Sequence, residues 1–303
     1  MDKVSSRHVS WIDLEQPTEE KIADLARKHG IHPLVAQELL IATYRPKLED
    51  YDDHLYLVLH FPVFDKKTHT TLSREIDFVI FPYTLITMHY EDIPQLDNFQ
   101  QFLAGHEAIR ERKFGRSSGQ LLYQIIKQLF SVSRDELGVL ESKINAVQDK
   151  VFNGNERAAL QEISGLRRDI LNFQKALKPQ ETVLRSLAEH GKKFFGSDSA
   201  PYFNDILGEY TQLWNIVEDL RATLDVIYET NVSLLSASVN ETVRFLTVVS
   251  FILLPMQVII NIFGMNINNI PLASHPNAFW ILLATNSVVG IIILQWLRNK
   301  NWL

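Results

Sequence analysis

The stretch VRFLTVVSFILLPMQVIINIFGMN, residues 243–266, decides the fold, together with AFWILLATNSVVGIIILQWL, residues 278–297, which follows a loop without Lys or Arg. At about 1.5 Å of rise per residue, the uncharged segments Phe245–Phe263 and Ala278–Leu297 each reach roughly 28–30 Å, the thickness of a bilayer's hydrocarbon core. They read as two transmembrane helices. The polar residues of the first, Thr247, Ser250, Gln257 and Asn261, fall on positions 247, 250, 254, 257, 261 and 264, a 3-4-3-4-3 spacing that gathers them on one helical face. Run backwards, the spacing reaches Val243 and Asn240. An unpaired amide facing hydrocarbon costs several kcal/mol, so this face must meet protein or water. Spacing alone leaves two readings open. The stripe is either glue between helices or, because two helices of one chain cannot enclose a pore, a lining that sister subunits complete around an axis.

The chain of 303 residues has room for one substantial domain plus extras. Hydropathy is near neutral overall while the last fifth is strongly apolar, so a soluble body precedes a membrane tail. A net charge of −6, with no basic stripe interleaved with aromatics, argues against nucleic-acid binding. The absence of cysteine removes disulfides, thiolate metal sites and Cys nucleophiles together. The segment Met1–His8 is polar and has no signal-peptide core, so entry into the membrane is expected through the C-terminal spans. Arg244 precedes the first span, and Arg298 and Lys300 follow the second. With no Lys or Arg in residues 264–277, the positive-inside rule puts that loop outside and both termini in the cytoplasm.

From the start of the chain, Trp11-Ile12-Asp13-Leu14 reads as a strand. A helix capped by Thr18 and stopped at Gly30 follows, then a second helix from Pro33 to Ile41. Leu55–Phe64 and Ile76–Met88 read as strands of one mostly antiparallel sheet, with Lys66–Ser73 a polar turn between them and a helix near Gln95–Leu103. Leu121, Leu122, Ile125, Ile126, Leu129 and Phe130 begin a helical stripe that lasts until Asn153-Gly154-Asn155. Glu156–Glu189 forms a second long helix, kinked at Pro179 and ended by His190-Gly191. A third starts after Ala200-Pro201 and has no stop before Gly264. The fold class is α+β. Its parts are an α/β domain (1–117), long helices forming a stalk (118–242) and a two-helix transmembrane domain (243–303).

The tripeptide Gly264-Met265-Asn266 at the end of the penultimate span, with Pro255 inside that span and Lys300-Asn301-Trp302-Leu303 closing the chain, resembles the CorA family of divalent-cation transporters. The resemblance extends to Asn240-Glu241, to Tyr202-Phe203-Asn204-Asp205 and to Arg45-Pro46-Lys47, and so covers most of the chain. It implies a funnel-shaped homopentamer in the cell membrane that carries Mg²⁺, or Co²⁺ and Ni²⁺, and needs no other cofactor. It also implies roles for residues. Gly264, Met265 and Asn266 would form the entrance filter, where neutral oxygens orient a hydrated ion without trapping it. Gln257 and Asn261 would contact the hydrated ion, with Thr247 and Ser250 on the same lining. Leu254, Leu246 and Val243 would form an apolar gate and Asn240 the inner polar ring. Asp205 would help hold a regulatory Mg²⁺ between subunits, with Asp65 the candidate partner acid. Relatives more often carry Thr and Gly at the positions of Gln257 and Asn261, and the loop from Asn268 to Pro276 lacks their usual acidic residue. Lys66-Lys67 next to Asp65 would face Asp205 as a salt bridge, which weakens Mg²⁺ sensing.

No G-x-G-x-x-G, G-x-x-x-x-G-K-[ST], H-E-x-x-H or G-x-S-x-G is present, so an enzyme is not expected. The pair His29 and His32, the dipeptide His106-Glu107, and the carboxylates Glu49-Asp50 and Asp52-Asp53 read as surface or turn residues. Asn231-Val232-Ser233 and Asn240-Glu241-Thr242 match the glycosylation pattern by accident, since the charge rule makes them cytosolic. Two alternatives remain. One is a ZntB-like zinc transporter on the same fold. The other is a membrane-tethered sensor or scaffold whose spans only anchor it.

Overall fold

The structure is a computed structural model that describes residues 2–65, 68, 70–265, 275–300 and 302. The chain divides into two compact units, Met1–Tyr228 and Glu229–Leu303.

The first unit is built on a six-stranded sheet in the order β1-β2-β6-β5-β4-β3. Its strands are β1 (Asp2–Ser5), β2 (Ser10–Glu15), β3 (Lys47–Asp50), β4 (Leu55–Asp65), β5 (Thr70–Ile80) and β6 (Thr84–His89). All pairings are antiparallel except β2 with β6, which run parallel with Asp13 opposite Thr87 and Glu15 opposite His89. Helices cover both faces. On one, α1 (Glu19–His29) and α2 (Pro33–Glu38) bury Ile22, Leu25 and Val35 against Ile12, Leu14, Tyr56, Val58, Val79, Ile86 and Met88. On the other lie α3 (Pro94–Gly105), α5 (Ser118–Phe152) and α6 (Glu156–Leu177), with α4 (Glu107–Phe114) packed on α3 and α5. Being covered on both sides, β4 is buried from Leu55 to Val63 without alternation.

Local chemistry sets several boundaries. Thr18 Oγ1 accepts from the Lys21 amide (3.4 Å), acids occupy the first turn of α1, basic residues occupy its last, and Gly30 closes it in the left-handed region at φ 76°. The expected strand Ile76–Met88 is two strands. Pro82 has no amide hydrogen for a ladder, and Phe81 N–H donates to the Thr84 carbonyl (2.9 Å) to close a turn between β5 and β6. Residues 70–73, assigned to a turn on polarity, instead pair with 62–65 as the start of β5. The helix after Pro33 ends at Glu38, short of Ile41.

The expected stop at His190-Gly191 is also displaced. A 3₁₀ turn at Lys178–Gln180 marks Pro179, and α7 (Glu181–Phe195) runs on through Gly191 to end before Gly196. A Cβ on Gly191 would stand 2.5 Å from the Phe203 ring, so this glycine permits close packing and does not end the helix. The edge strands β1 and β3 and the helix α4 have too few apolar residues for periodicity to reveal them.

The last helix to begin in this unit, α8 (Ala200–Phe263, 64 residues), is about 96 Å long. Phe203, Ile206, Tyr210, Leu213, Val217, Leu220, Leu224 and Ile227 are buried at coiled-coil spacing. Arg134 on α5 pairs with Glu209, and Arg167 on α6 with Asp225, beside this seam. In the second unit the end of α8 meets α9 (Ala278–Asn299).

On α5, burial pushes the Glu136 carboxyl up to about 7, although the Phe64 amide and Gln95 Nε2 (3.3 Å) donate to it. The unfolded carboxyl titrates near 4.3. Any stabilisation is therefore complete below that value and is lost as pH rises toward 7, above which the folded state holds a charge that burial disfavours. Glu136→Gln is expected to raise the melting temperature at pH 8 by the equivalent of about 2–3 kcal/mol and to leave it nearly unchanged at pH 4.5, read by thermal denaturation at the two pH values.

Candidate ion pathway

Two opposite faces of α8 have different environments within the second unit. Val248 is 4% exposed, and Ile252, Pro255, Met256 and Ile259 are half-buried beside it. Their spacing marks one helical stripe, and it packs on α9. Phe251 stacks on Trp296 with centroids 6.4 Å apart, Gly290 is buried with Met256 Sδ 3.6 Å from where its Cβ would stand, and Arg244 Nε donates to the Trp302 carbonyl (2.9 Å). At 3.6 residues per turn the candidate lining lies on the other side of the helix. Asn240, Val243, Leu246, Leu254, Gln257 and Asn261 are exposed, and Thr247 and Ser250 are half-buried.

The hydroxyls and amides of this lining differ in how they are satisfied. Thr247 Oγ1 donates to the Val243 carbonyl (2.8 Å) and Ser250 Oγ to the Leu246 carbonyl (2.9 Å), one turn back on their own helix. The Gln257 and Asn261 side chains have no hydrogen-bond partner among the described residues. Gly264 N–H bonds the Ile260 and Asn261 carbonyls (3.0 and 3.1 Å) and Met265 N–H the Ile262 carbonyl (3.4 Å), which ends the helix. Met265 is 53% exposed. Asn266, and with it the loop through Ser274, lies outside the described residues.

Both apolar helices are poorly covered. Of the most apolar 18-residue windows, 6% is buried in α8 and 11% in α9, unlike the core helix of a soluble protein.

The regulatory candidates are not brought together within one chain. Asp205 accepts from Tyr123 Oη (2.7 Å) and Lys127 Nζ (2.8 Å), both on α5. Those hydrogen bonds, Lys127's first, hold its carboxyl below the usual carboxylate range and push the Lys127 ammonium up. Asp65 accepts from Arg74 Nη2 (3.3 Å) and the Thr68 amide (3.2 Å). Lys66 and Lys67 lie outside the described residues. Lys127 was not foreseen as the cation of Asp205; 78 residues separate the two, and only the packing of α5 on α8 joins them. Of the dismissed histidines, His32 Nδ1 accepts from the Leu34 amide (3.3 Å) and its ring stacks on Tyr51 (4.7 Å).

A helix-covered mixed sheet followed by long helices, together with two apolar and largely uncovered C-terminal helices, defines the CorA class of architecture. The chain belongs to that family: the model described as CorA-like Mg²⁺ transporter protein matches residues 6–299. It is 27% identical over 297 residues to the cobalt/magnesium transport protein CorA of Methanocaldococcus jannaschii, covering 97% of this chain and 91% of that protein. It is 24% identical over 274 residues to the protein of the same name from Thermotoga maritima, covering 90% and 77%. The complete structure of the CorA magnesium transporter from M. jannaschii matches with a TM-score of 0.84 at 25% identity, covering 100% of this chain and 95% of that one.

The seam between α8 and α9 yields a graded expectation. A methyl group at Gly290 meets Met256 Sδ at ordinary contact distance, whereas a branched side chain would force the helices apart. Gly290→Ala is expected to leave the melting temperature of the detergent-solubilised protein unchanged and Gly290→Leu to lower stability by about 1–3 kcal/mol, measured side by side.

Proposed function

We propose that this chain assembles as a homopentamer that conducts hydrated divalent cations, Mg²⁺ above all and Co²⁺ or Ni²⁺ with it, across the cell membrane. Its spans are α9 and the C-terminal part of α8, and both termini are in the cytoplasm. One observation carries the reading: the polar face of α8 is left open on the side away from α9, with the amides of Gln257 and Asn261 unpartnered. An axis shared by sister chains gives those amides water and hydrated cation as partners and keeps them from lipid.

In this assembly the oxygens of Gly264, Met265 and Asn266 hold the ion's water shell at the outer mouth, and Gln257 and Asn261 hold it a turn or two further in. Thr247 and Ser250 continue the lining. Leu254, Leu246 and Val243 narrow it into an apolar constriction that closes by dewetting, and Asn240 rings the inner end. Because Asp205 is occupied by Lys127 of its own subunit, a regulatory Mg²⁺ between subunits competes with an ammonium, and closure by cytosolic Mg²⁺ is weak.

Uptake into liposomes tests the reading. Asn266→Ala is expected to reduce Mg²⁺ uptake to background, whereas a protein that uses its spans only as an anchor would be indifferent to the change. A zinc transporter on the same fold would prefer Zn²⁺ and respond to an imposed pH gradient in that assay. Lys127→Gln, which removes the cation from Asp205, is expected to lower several-fold the Mg²⁺ concentration that closes the channel, and adding Asp205→Asn to reverse the gain.

A further inference from the structure

A second cluster lies in the first unit, under α3. The parallel pairing of β2 and β6 sets Asp13 opposite Thr87, and His89, two residues beyond Thr87, falls on the same face. Trp11 Nε1 donates to Thr87 Oγ1 (2.8 Å), and Thr87 Oγ1 donates in turn to Asp13 Oδ1. Asp13 is thereby oriented with Oδ2 left over, 3.3 Å from His89 Nε2. The other nitrogen of His89, Nδ1, lies 2.7 Å from the Glu91 carbonyl. A carbonyl only accepts, so Nδ1 carries hydrogen and Nε2 is the nitrogen that meets the carboxylate, with either a proton or a metal cation between them.

This contact is inside the protein, where His89 is 0% and Asp13 6% exposed. A third group stands with them. Asp97, in the first turn of α3, has no hydrogen-bond or salt-bridge partner among the described residues; His89 is the leading charge acting on it, and Asp13, Asp92 and Glu15 add negative potential around it. One ligand atom from each of Asp13, His89 and Asp97 lies within 4.8 Å of the others.

We propose that Asp13, His89 and Asp97 bind a divalent transition-metal ion, of the class of Co²⁺, Ni²⁺ or Zn²⁺, within the first unit. Metal–nitrogen and metal–oxygen bonds of about 2.0–2.2 Å place neighbouring ligand atoms roughly 3–3.5 Å apart, which the His89–Asp13 spacing meets and Asp97 reaches by closing in. The hydrogen bonds from Thr87 to Asp13 and from His89 Nδ1 to the Glu91 carbonyl are the outer ties that orient ligands at such sites. Imidazole beside carboxylates suits a borderline transition metal, whereas Mg²⁺ favours oxygen and keeps its water. Three protein ligands leave coordination positions to water, so the ion is exchangeable. The site binds whether or not the chain conducts, and it would let the soluble body register transition metals apart from Mg²⁺.

The test titrates Co²⁺ into the purified full-length protein in detergent and follows visible d–d absorption and melting temperature. The wild type should develop a nitrogen-ligated band, saturating at one Co²⁺ per chain, with a rise in melting temperature that excess Zn²⁺ erases from the spectrum and Mg²⁺ does not. Asn266→Ala should keep the band even where transport is lost, which separates this site from the pore. Asp97→Asn, half-buried and nearly isosteric, should weaken binding at least tenfold while melting normally without metal. His89→Gln should abolish the band. If the buried His89→Gln variant fails to fold, Asp97→Asn decides alone. An unchanged band and affinity in Asp97→Asn would mean that Asp97 is no ligand, and no band in the wild type would mean that a proton alone bridges Asp13 and His89; either result would overturn the proposal.

Discussion

The rest of the second unit depends on the rule that an amide cannot be left bare in hydrocarbon. Thr247 and Ser250 satisfy it with carbonyls of their own helix, so they could face almost anything. Gln257 and Asn261 do not: their carboxamides, each with two donors and an acceptor, have no hydrogen-bond partner among the described residues. The Asn286 amide on α9 makes the contrast. It is 4% exposed and returns Nδ2 to the Leu282 carbonyl (3.1 Å), one turn back on its own helix, so an amide can be buried within the unit on such a bond. The amides on α8 lie on the side away from that packing and have no partner among the described residues.

Helix geometry keeps the two jobs of α8 apart. In the first unit α8 is buried at 203, 206, 210, 213, 217, 220, 224 and 227; in the second, Val248 is buried and Ile252, Pro255 and Ile259 are half-buried, again in steps of three and four. The series 240, 243, 247, 250, 254, 257, 261 and 264 has the same period, offset to the opposite side. A slip of one residue in either would swing its side chains through about 100° and put polar atoms into the seam with α9. That constraint explains why a helix of this length keeps so regular a repeat.

Features with a period or a cap were legible in the sequence, and features made by long-range contact were not. Thr18 and Gly30 announced α1, the Leu121–Phe130 stripe announced α5, and uncharged length announced both apolar C-terminal helices. The Ile76–Met88 run misled because its hydropathy continues across Pro82, while the chain reverses there for want of an amide hydrogen. Gly191 misled because a glycine in a helix has two explanations, and the one that applies, the Phe203 ring against its Cα, requires knowing that α7 meets α8. The candidate lining could be written from spacing, yet which side of α8 it leaves open follows only from where α9 packs. Asp13, His89 and Asp97 were invisible for a related reason: parallel pairing joins β2 to β6 across some seventy residues, and no local spacing encodes that.

The pair of Asp205 and Lys127 shows why an exposed contact can change without harm to the fold. Both side chains are nearly half exposed, and pairs of that kind contribute roughly 0–1 kcal/mol. The coiled-coil seam beside them, with Phe203 and Ile206 at 1% exposure, carries the stability of this segment, so replacing the ammonium by another cation costs the helix little. A divalent ion bridging two subunits, by contrast, must shed part of a tightly held water shell, and it does so only where carboxylates outnumber competing cations. With Lys127 and Tyr123 donating to Asp205 from its own subunit, that condition is not met at this position. A divalent ion at Asp205 would therefore have to displace an ammonium that an unpaired aspartate does not hold.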